Sequence, residues 1–287
     1  MSNNLDGAGL LAQLGIDEPL DELLKVETGR FEAWSRLAAV VAPIVADKKI
    51  RLLGVEGSQG SGKSTLSQTI VDALAARGIK AATISLDDFY LGVKEREALA
   101  ARIHPLLRTR GVPGTHDWQR LLEVVLAHER GEALTVPRFN KGTDDRMDDV
   151  CLECECLILE GWCVGITQQA PSQLLEPVNK LERTEDLDAA WRTWANEQIQ
   201  HYEPIWSHIQ FWLQLRVPSF EQVYLWRAQQ EQDLPREQRM SDDTLSRFIQ
   251  HYERITRHLW SLPPRHPGLT VELSASHDIA KVAASQG

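Results

Sequence analysis

The sequence predicts an α/β fold in which a mainly parallel sheet lies between two layers of helices, with an N-terminal helical extension. Three observations predict it. A short apolar run, Ile50 to Val55, passes through glycines into a helical period over Lys63 to Arg77, which Gly78 stops. Further apolar runs at Ala81 to Leu86, Cys156 to Leu159, Ile209 to Leu215 and Leu269 to Leu273 alternate with polar segments, the pattern of right-handed crossovers between parallel strands. With 287 residues, 43% of them hydrophobic, the chain is long enough to bury one large core.

The elements follow in order. Residues 5–47 carry Leu10, Leu11, Leu14, Leu20, Leu23, Leu24, Ala38, Val41 and Ile44 at helical spacings and read as a cap packed on the core. Residues 48–287 form the main domain. The run Ala81 to Leu86 reads as a second buried strand, and the stretch from about 92 to 150 as a long polar insertion. Long polar helices are expected at 184–203 and 219–260. In parallel sheets ligands bind at the carboxyl edge of the strands, and Lys63, Asp87 and Glu160 all fall there.

Composition narrows the function. A net charge of -10 and a pI near 5.4 argue against broad binding to nucleic acid or to an anionic membrane, so any phosphate site must be local. No run approaches the roughly 18 apolar residues of a membrane span and the start lacks a basic leader, which predicts a cytoplasmic protein. The four cysteines, Cys151, Cys154, Cys156 and Cys163, lack a second Cys-x-x-Cys pair and read as small hydrophobes, not zinc ligands. The nine tryptophans, among them Trp191, Trp194, Trp206 and Trp212, are spaced for helix packing. His201, His208, His251 and His258 read as a packed or solvated face.

The residues Gly57, Ser58, Gln59, Gly60, Ser61, Gly62, Lys63 and Ser64 spell Gly-x4-Gly-Lys-Ser between a strand and a helix, with Thr65 in the first turn. Glycines let successive backbone N–H groups converge on a phosphate, and the helix N-terminus adds partial positive charge. This predicts a P-loop NTPase-type three-layer α/β/α sandwich binding ATP, with Lys63 bridging the terminal phosphates and Ser64 ligating Mg²⁺. Asn179-Lys180-Leu181-Glu182 and Asn140-Lys141 only approximate a guanine-reading motif, and the third strand ends in Glu160-Gly161 where a GTPase carries Asp-x-x-Gly.

Asp87 and Asp88 stand at the tip of the strand after the phosphate-loop helix. A kinase acting on an alcohol needs a carboxylate to take the hydroxyl proton; Asp87 is the first candidate, and Asp88 would help hold Mg²⁺ or cap the next turn. Glu160 ends a buried strand, where a Mg²⁺-bound water is a natural partner. Arg108, Arg110, Arg138, Lys141 and Arg146 bring positive charge into the insertion. The polar stretch from about 227 to 243, broken by Pro235, would be a lid whose Arg227, Arg236 and Arg239 neutralise the transferred phosphoryl.

Together with Asp87-Asp88-Phe89-Tyr90, Pro137-Arg138-Phe139-Asn140, Arg146 and Leu159-Glu160-Gly161-Trp162, the glycine loop resembles the phosphoribulokinase/uridine kinase superfamily. Within it the chain is similar to the plant-type D-glycerate 3-kinase family, through Arg110-Gly111-Val112-Pro113-Gly114-Thr115-His116-Asp117 and Glu160-Gly161-Trp162-Cys163-Val164-Gly165. Asn179-Lys180-Leu181-Glu182, Trp226-Arg227-Ala228-Gln229-Gln230-Glu231 and Met240-Ser241-Asp242 extend the likeness, which covers roughly residues 50–260. The family's Gly-Met-Ser-Asp is Arg239-Met240-Ser241-Asp242 here. The resemblance implies a P-loop kinase fold, ATP as donor, the 3-hydroxyl of D-glycerate as acceptor and the base at Asp87. For such an acceptor Arg110 and Arg146 would clamp the carboxylate, and His116 and Asp117 would orient hydroxyls, with Tyr90 and Lys141 also at the substrate. Pantothenate, a nucleoside or a sugar phosphate are the alternative acceptors. From another class, the rival is a nucleotide-dependent regulatory protein without phosphotransfer.

Overall fold

The computed structural model describes residues 32–232 and 239–285. The leucine-spaced segments before residue 32, and Arg236, lie outside the described residues. At the centre of the main sheet, strand β1 (Leu52–Gly57) is buried at every position. It runs parallel to β5 (Cys156–Gly161) on one side and β6 (Phe211–Arg216) on the other. The six-stranded order is completed by β2 (Ala81–Ser85) beyond β5, and by β7 (Gly268–Leu273) and the antiparallel β8 (Ile279–Ala284) beyond β6.

Period-two alternation divides the core. Leu53, Val55, Ile158 and Leu213 face one apolar cluster, while Leu52, Leu157, Leu159 and Trp212 face the other. The first face is covered by α1 (Glu32–Lys48), α2 (Lys63–Ala75) and α8 (Phe220–Gln232), through Leu37, Val41, Leu66, Ile70, Val223 and Trp226. The second is covered by α4 (Trp118–Arg130), α6 (Ala190–Gln198) and the short α7 (Glu203–Trp206), through residues such as Leu121, Trp191 and Trp206. The long α9 (Asp242–Ser261) contributes Leu245 and Ile249 to the first cluster and Tyr252 and Leu259 to the second. A three-layer α/β/α sandwich results, as expected.

Several expectations need correction. β2 is not a buried strand: it sits at the sheet's edge, and only Ile84 of its five residues is fully buried. The polar insertion is folded, with α3 (Val93–Arg102), α4 and a hairpin of β3 (Leu134–Asn140) and β4 (Asp145–Leu152). One of the two long polar helices is broken into α5 (Lys180–Glu185), α6 and α7, because Ala189 adopts φ 61° and Asp186 turns back to accept from the N–H groups of Trp191 and Arg192. The other is two helices, α8 and α9, the second capped by Ser241. Strand β8 was not anticipated. Cys156 and Cys163 are buried as expected, whereas Cys151 is exposed and Cys154 half-buried. His201 stacks on Trp118, and His251 and His258 bond to backbone carbonyls, as a packed face requires.

Candidate active site

Parallel pairing sets the site. β5 lies between β1 and β2, so Glu160 is opposite Val55 on one side and Ser85 on the other. The carboxyl ends of three strands therefore deliver the glycine loop, Glu160 and Asp87 to one edge. The loop needs its glycines: Gly60 and Gly62 have φ of 77° and 87°, and a Cβ would come 2.7 Å from Trp226 Cβ and 2.9 Å from Trp34 respectively.

On the loop side, Ser64 Oγ donates to Glu160 Oε1 at 2.9 Å, and Lys63 Nζ lies 3.8 Å from Glu160 Oε2. A hydroxyl and a carboxylate side by side are the oxygen donors a hard divalent cation takes. Ser58 Oγ, Gln59 Oε1 and Ser61 Oγ are buried with no hydrogen-bond partner, as are Asp87 Oδ1 and Glu160 Oε2. Orphaned polar atoms on this scale are costly unless a polar ligand satisfies them, so the residues fit a nucleotide phosphate with its Mg²⁺.

Sequence reading missed what holds the loop. Glu56 is buried directly before it, accepts from Gln214 Nε2 and Arg216 Nη1, and is pushed up in pKa by burial, which the Arg216 charge only partly offsets. His277, from the β7–β8 turn, stacks on Trp226 with ring centroids 3.7 Å apart and donates from Nε2 to the Gly60 carbonyl at 2.8 Å. A cleft of about 630 Å³ opens beside the loop, lined by Trp34, Arg36, Gly60, Gly62, Thr65 and His277 among others. The helix α1 thus forms one wall of it. A slightly larger cavity, about 700 Å³ between Trp206, Trp212, Pro263 and Arg265, contains none of these residues.

Asp87 lies in the 3-10 turn (Leu86–Phe89) after β2, where Ser85 Oγ accepts from its N–H. Burial alone would raise its pKa, but the charges of Lys141 and Lys63 outweigh that and hold it at about 2. Lys141, on the hairpin turn, lies 2.5 Å from Asp87 Oδ2. Asp88 takes a different part: it accepts from Arg138 Nη1 at 2.7 Å and from the Phe139 N–H, fastening β3 to the turn.

The expected carboxylate clamp is already paired. Arg110 bonds to Asp144 and lies over the Phe139 ring, while Arg146 donates to Asp117 Oδ2 and to the Tyr90 carbonyl. Asp117 is also the N-cap of α4, accepting from the Arg120 N–H. Arg96, unanticipated because a lone arginine in a helix reads as solvated, is 1% exposed. It donates to the carbonyls of Leu91, Arg108 and Asp144, locking three loops of the insertion together. Tyr90 and His116 are buried and stacked at 4.5 Å.

In the expected lid, Arg227 pairs with Glu231, Arg239 donates to the Gln232 carbonyl, and Glu231 Oε2 accepts from the Met240 N–H. Asn179 caps α5 and does not read a base; Glu182 pairs with Arg254 of α9.

A sequence model of the phosphoribulokinase / uridine kinase family matches residues 52–204, from β1 through the insertion to the start of α7. The chain belongs to that family. It is therefore a P-loop kinase, and the loop, Asp87 and Glu160 all lie within the matched span or its immediate fold. It is 33% identical over 217 residues to the uncharacterized kinase mug58 of Schizosaccharomyces pombe, covering 70% of this chain and 78% of that one. It is 29% identical over 220 residues to the chloroplastic D-glycerate 3-kinase of Arabidopsis thaliana, covering 70% of this chain and 46% of the plant protein. The fold is shared with the solved D-glycerate 3-kinase of Cryptococcus neoformans, at a TM-score of 0.71 and 23% identity over 96% of this chain and 97% of that one. Among the described residues no helix is long and apolar enough to cross a membrane.

Proposed function

We propose that the protein transfers the γ-phosphoryl group of ATP to the 3-hydroxyl of D-glycerate, giving 3-phosphoglycerate and ADP. The observation that carries the reading is Asp87: a half-buried carboxylate whose Oδ1 is buried without a hydrogen-bond partner, on the same sheet edge as Lys63, Ser64 and Glu160. The plant relative, named a D-glycerate 3-kinase, supports the choice of acceptor.

In this reading the loop amides and Lys63 neutralise charge on the phosphates, with the nucleoside running into the cleft lined by Trp34 and His277. Ser64 and Glu160 would hold Mg²⁺, which when bound supplies charge neutralisation at the phosphate oxygens. Asp87 aligns the acceptor hydroxyl. As its oxygen bonds to phosphorus, the bond from phosphorus to the ADP oxygen breaks and the hydroxyl proton passes to Asp87. A carboxylate held near pKa 2 is a weak base, which suits a loose transition state in which the proton leaves late. Lys141, exposed and movable, would take the glycerate carboxylate, with Arg110 and Arg146 adding positive field behind it.

An ADP-release assay over D-glycerate, pantothenate, uridine and sugar phosphates tests this. D-Glycerate should drive turnover that Asp87→Asn abolishes. Turnover with a nucleoside but not with glycerate, or no acceptor dependence at all, would overturn the reading.

A further inference from the structure

Behind Tyr90 lies a pair of side chains whose hydrogen bonding fixes the proton on one ring nitrogen. His116 Nδ1 is 3.0 Å from the hydroxyl of Tyr202, and both residues are buried. That phenol oxygen already accepts from the Gly114 N–H at 2.9 Å, and accepting from the ring as well would strand its own proton in a buried site. An oxygen so occupied has its own proton to give, and Nδ1 is the acceptor beside it. The imidazole is kept neutral by burial, which lowers its pKa to about 4 against the opposing pull of Asp87. A neutral ring with a bare Nδ1 carries its proton on Nε2.

Nε2 has no partner and is shut off from solvent. The ring that carries it lies flat on Tyr90, 19° from parallel, in a backbone bridge pairing Tyr90 with His116. Asp87, three residues before Tyr90, has an equally orphaned Oδ1. One buried donor and one buried acceptor thus stand without partners on the acceptor side of the phosphate loop. A native fold leaves such groups unpaired where a ligand completes them.

The geometry points to His116 Nε2–H as a donor-only contact for the substrate oxygen on the carbon next to the reacting hydroxyl, with Tyr202 as the positioning residue that holds the tautomer. This rests on the kinase reading above and sharpens it: the acceptor must carry an oxygen adjacent to the alcohol that is phosphorylated, as the 2-oxygen of glycerate is. A site that offers a buried donor penalises the analogue lacking that oxygen, because the donor is then left unpaired.

The test has two arms. In ¹⁵N-histidine-labelled protein, His116 should show a protonated Nε2 and a bare Nδ1, and Tyr202→Phe should convert this to a mixture of tautomers. In kinetics, kcat/KM for D-glycerate should exceed that for 3-hydroxypropanoate by about 10- to 100-fold. His116→Phe should bring that ratio close to one, and His116→Gln, whose amide still donates, should restore part of it. If another alcohol proves to be the acceptor, it is compared in the same way with its own deoxy analogue. A protonated Nδ1 in the wild type, a tautomer indifferent to Tyr202→Phe, or a ratio unchanged in His116→Phe would overturn the inference. A failed acceptor reading shows itself separately, as absent glycerate turnover with the tautomer signal intact.

Discussion

Lys141 Nζ lies 2.5 Å from Asp87 Oδ2, so the hairpin that reaches over the site sets the basicity of the carboxylate beneath it. Asp87→Asn is expected to lower kcat by about 10²- to 10⁴-fold while ATP binding, measured by calorimetry, stays within a few-fold of wild type. Unchanged turnover would remove Asp87 from the chemistry.

Lys141→Met should move the acid limb of the kcat profile. Asp87 is held at about 2 by Lys141 and Lys63 acting against burial, so loss of one cation raises its pKa. The variant should therefore lose activity at a higher pH than wild type on acidification, with KM for the acidic substrate also raised. Superimposable pH profiles would contradict the coupling.

Gly60→Ala tests the loop's backbone. With φ at 77° and a Cβ only 2.7 Å from Trp226 Cβ, the substitution strains both conformation and packing. A loss of about 1–3 kcal/mol in stability is expected, seen as a lower Tm, together with weaker nucleotide binding.

Arg254→Met should be severe. Arg254 and Glu182 are bound at 2.7 Å, with side chains 5% and 0% exposed, so the variant leaves a buried carboxylate unpaired. The expected cost is about 3–5 kcal/mol in denaturant unfolding, and Glu182→Leu added to it should recover a good part. Full additivity of the two would show that the residues do not interact.

Stability should fall on mild acidification. His116 and His251 are both depressed to about 4 by burial, so between about pH 6.5 and 4 the unfolded chain binds more protons than the folded one. The fully developed penalty is on the order of 3 kcal/mol for each, and below pH 4 these two residues add no more. His251→Phe should flatten part of the slope in chemical denaturation between pH 7 and 4.

The residues proposed for the chemistry stood out in the sequence because their spacing is tied to backbone geometry. A glycine loop between strand and helix can bind a phosphate only in that order, and Asp87 and Glu160 were placed by ending strands. The insertion was not legible: its hairpin alternates weakly, β4 is largely exposed, and α3 is stabilised by Arg96 reaching carbonyls far along the chain. Arg110 and Arg146 drew attention by charge, but their partners Asp144 and Asp117 are contacts of the folded state.

By itself the sequence determined a phosphate-binding loop on a parallel sheet, the two carboxylates facing it and the family to which they belong, since local spacing and strand order carry that information. Only the tertiary structure decided which cations remain available and which are committed to loops. It also set Trp34 and His277 against the phosphate loop and gave His116 its tautomer through Tyr202, 86 residues away. Such relationships depend on which side chains burial brings together, and no sequence period records them.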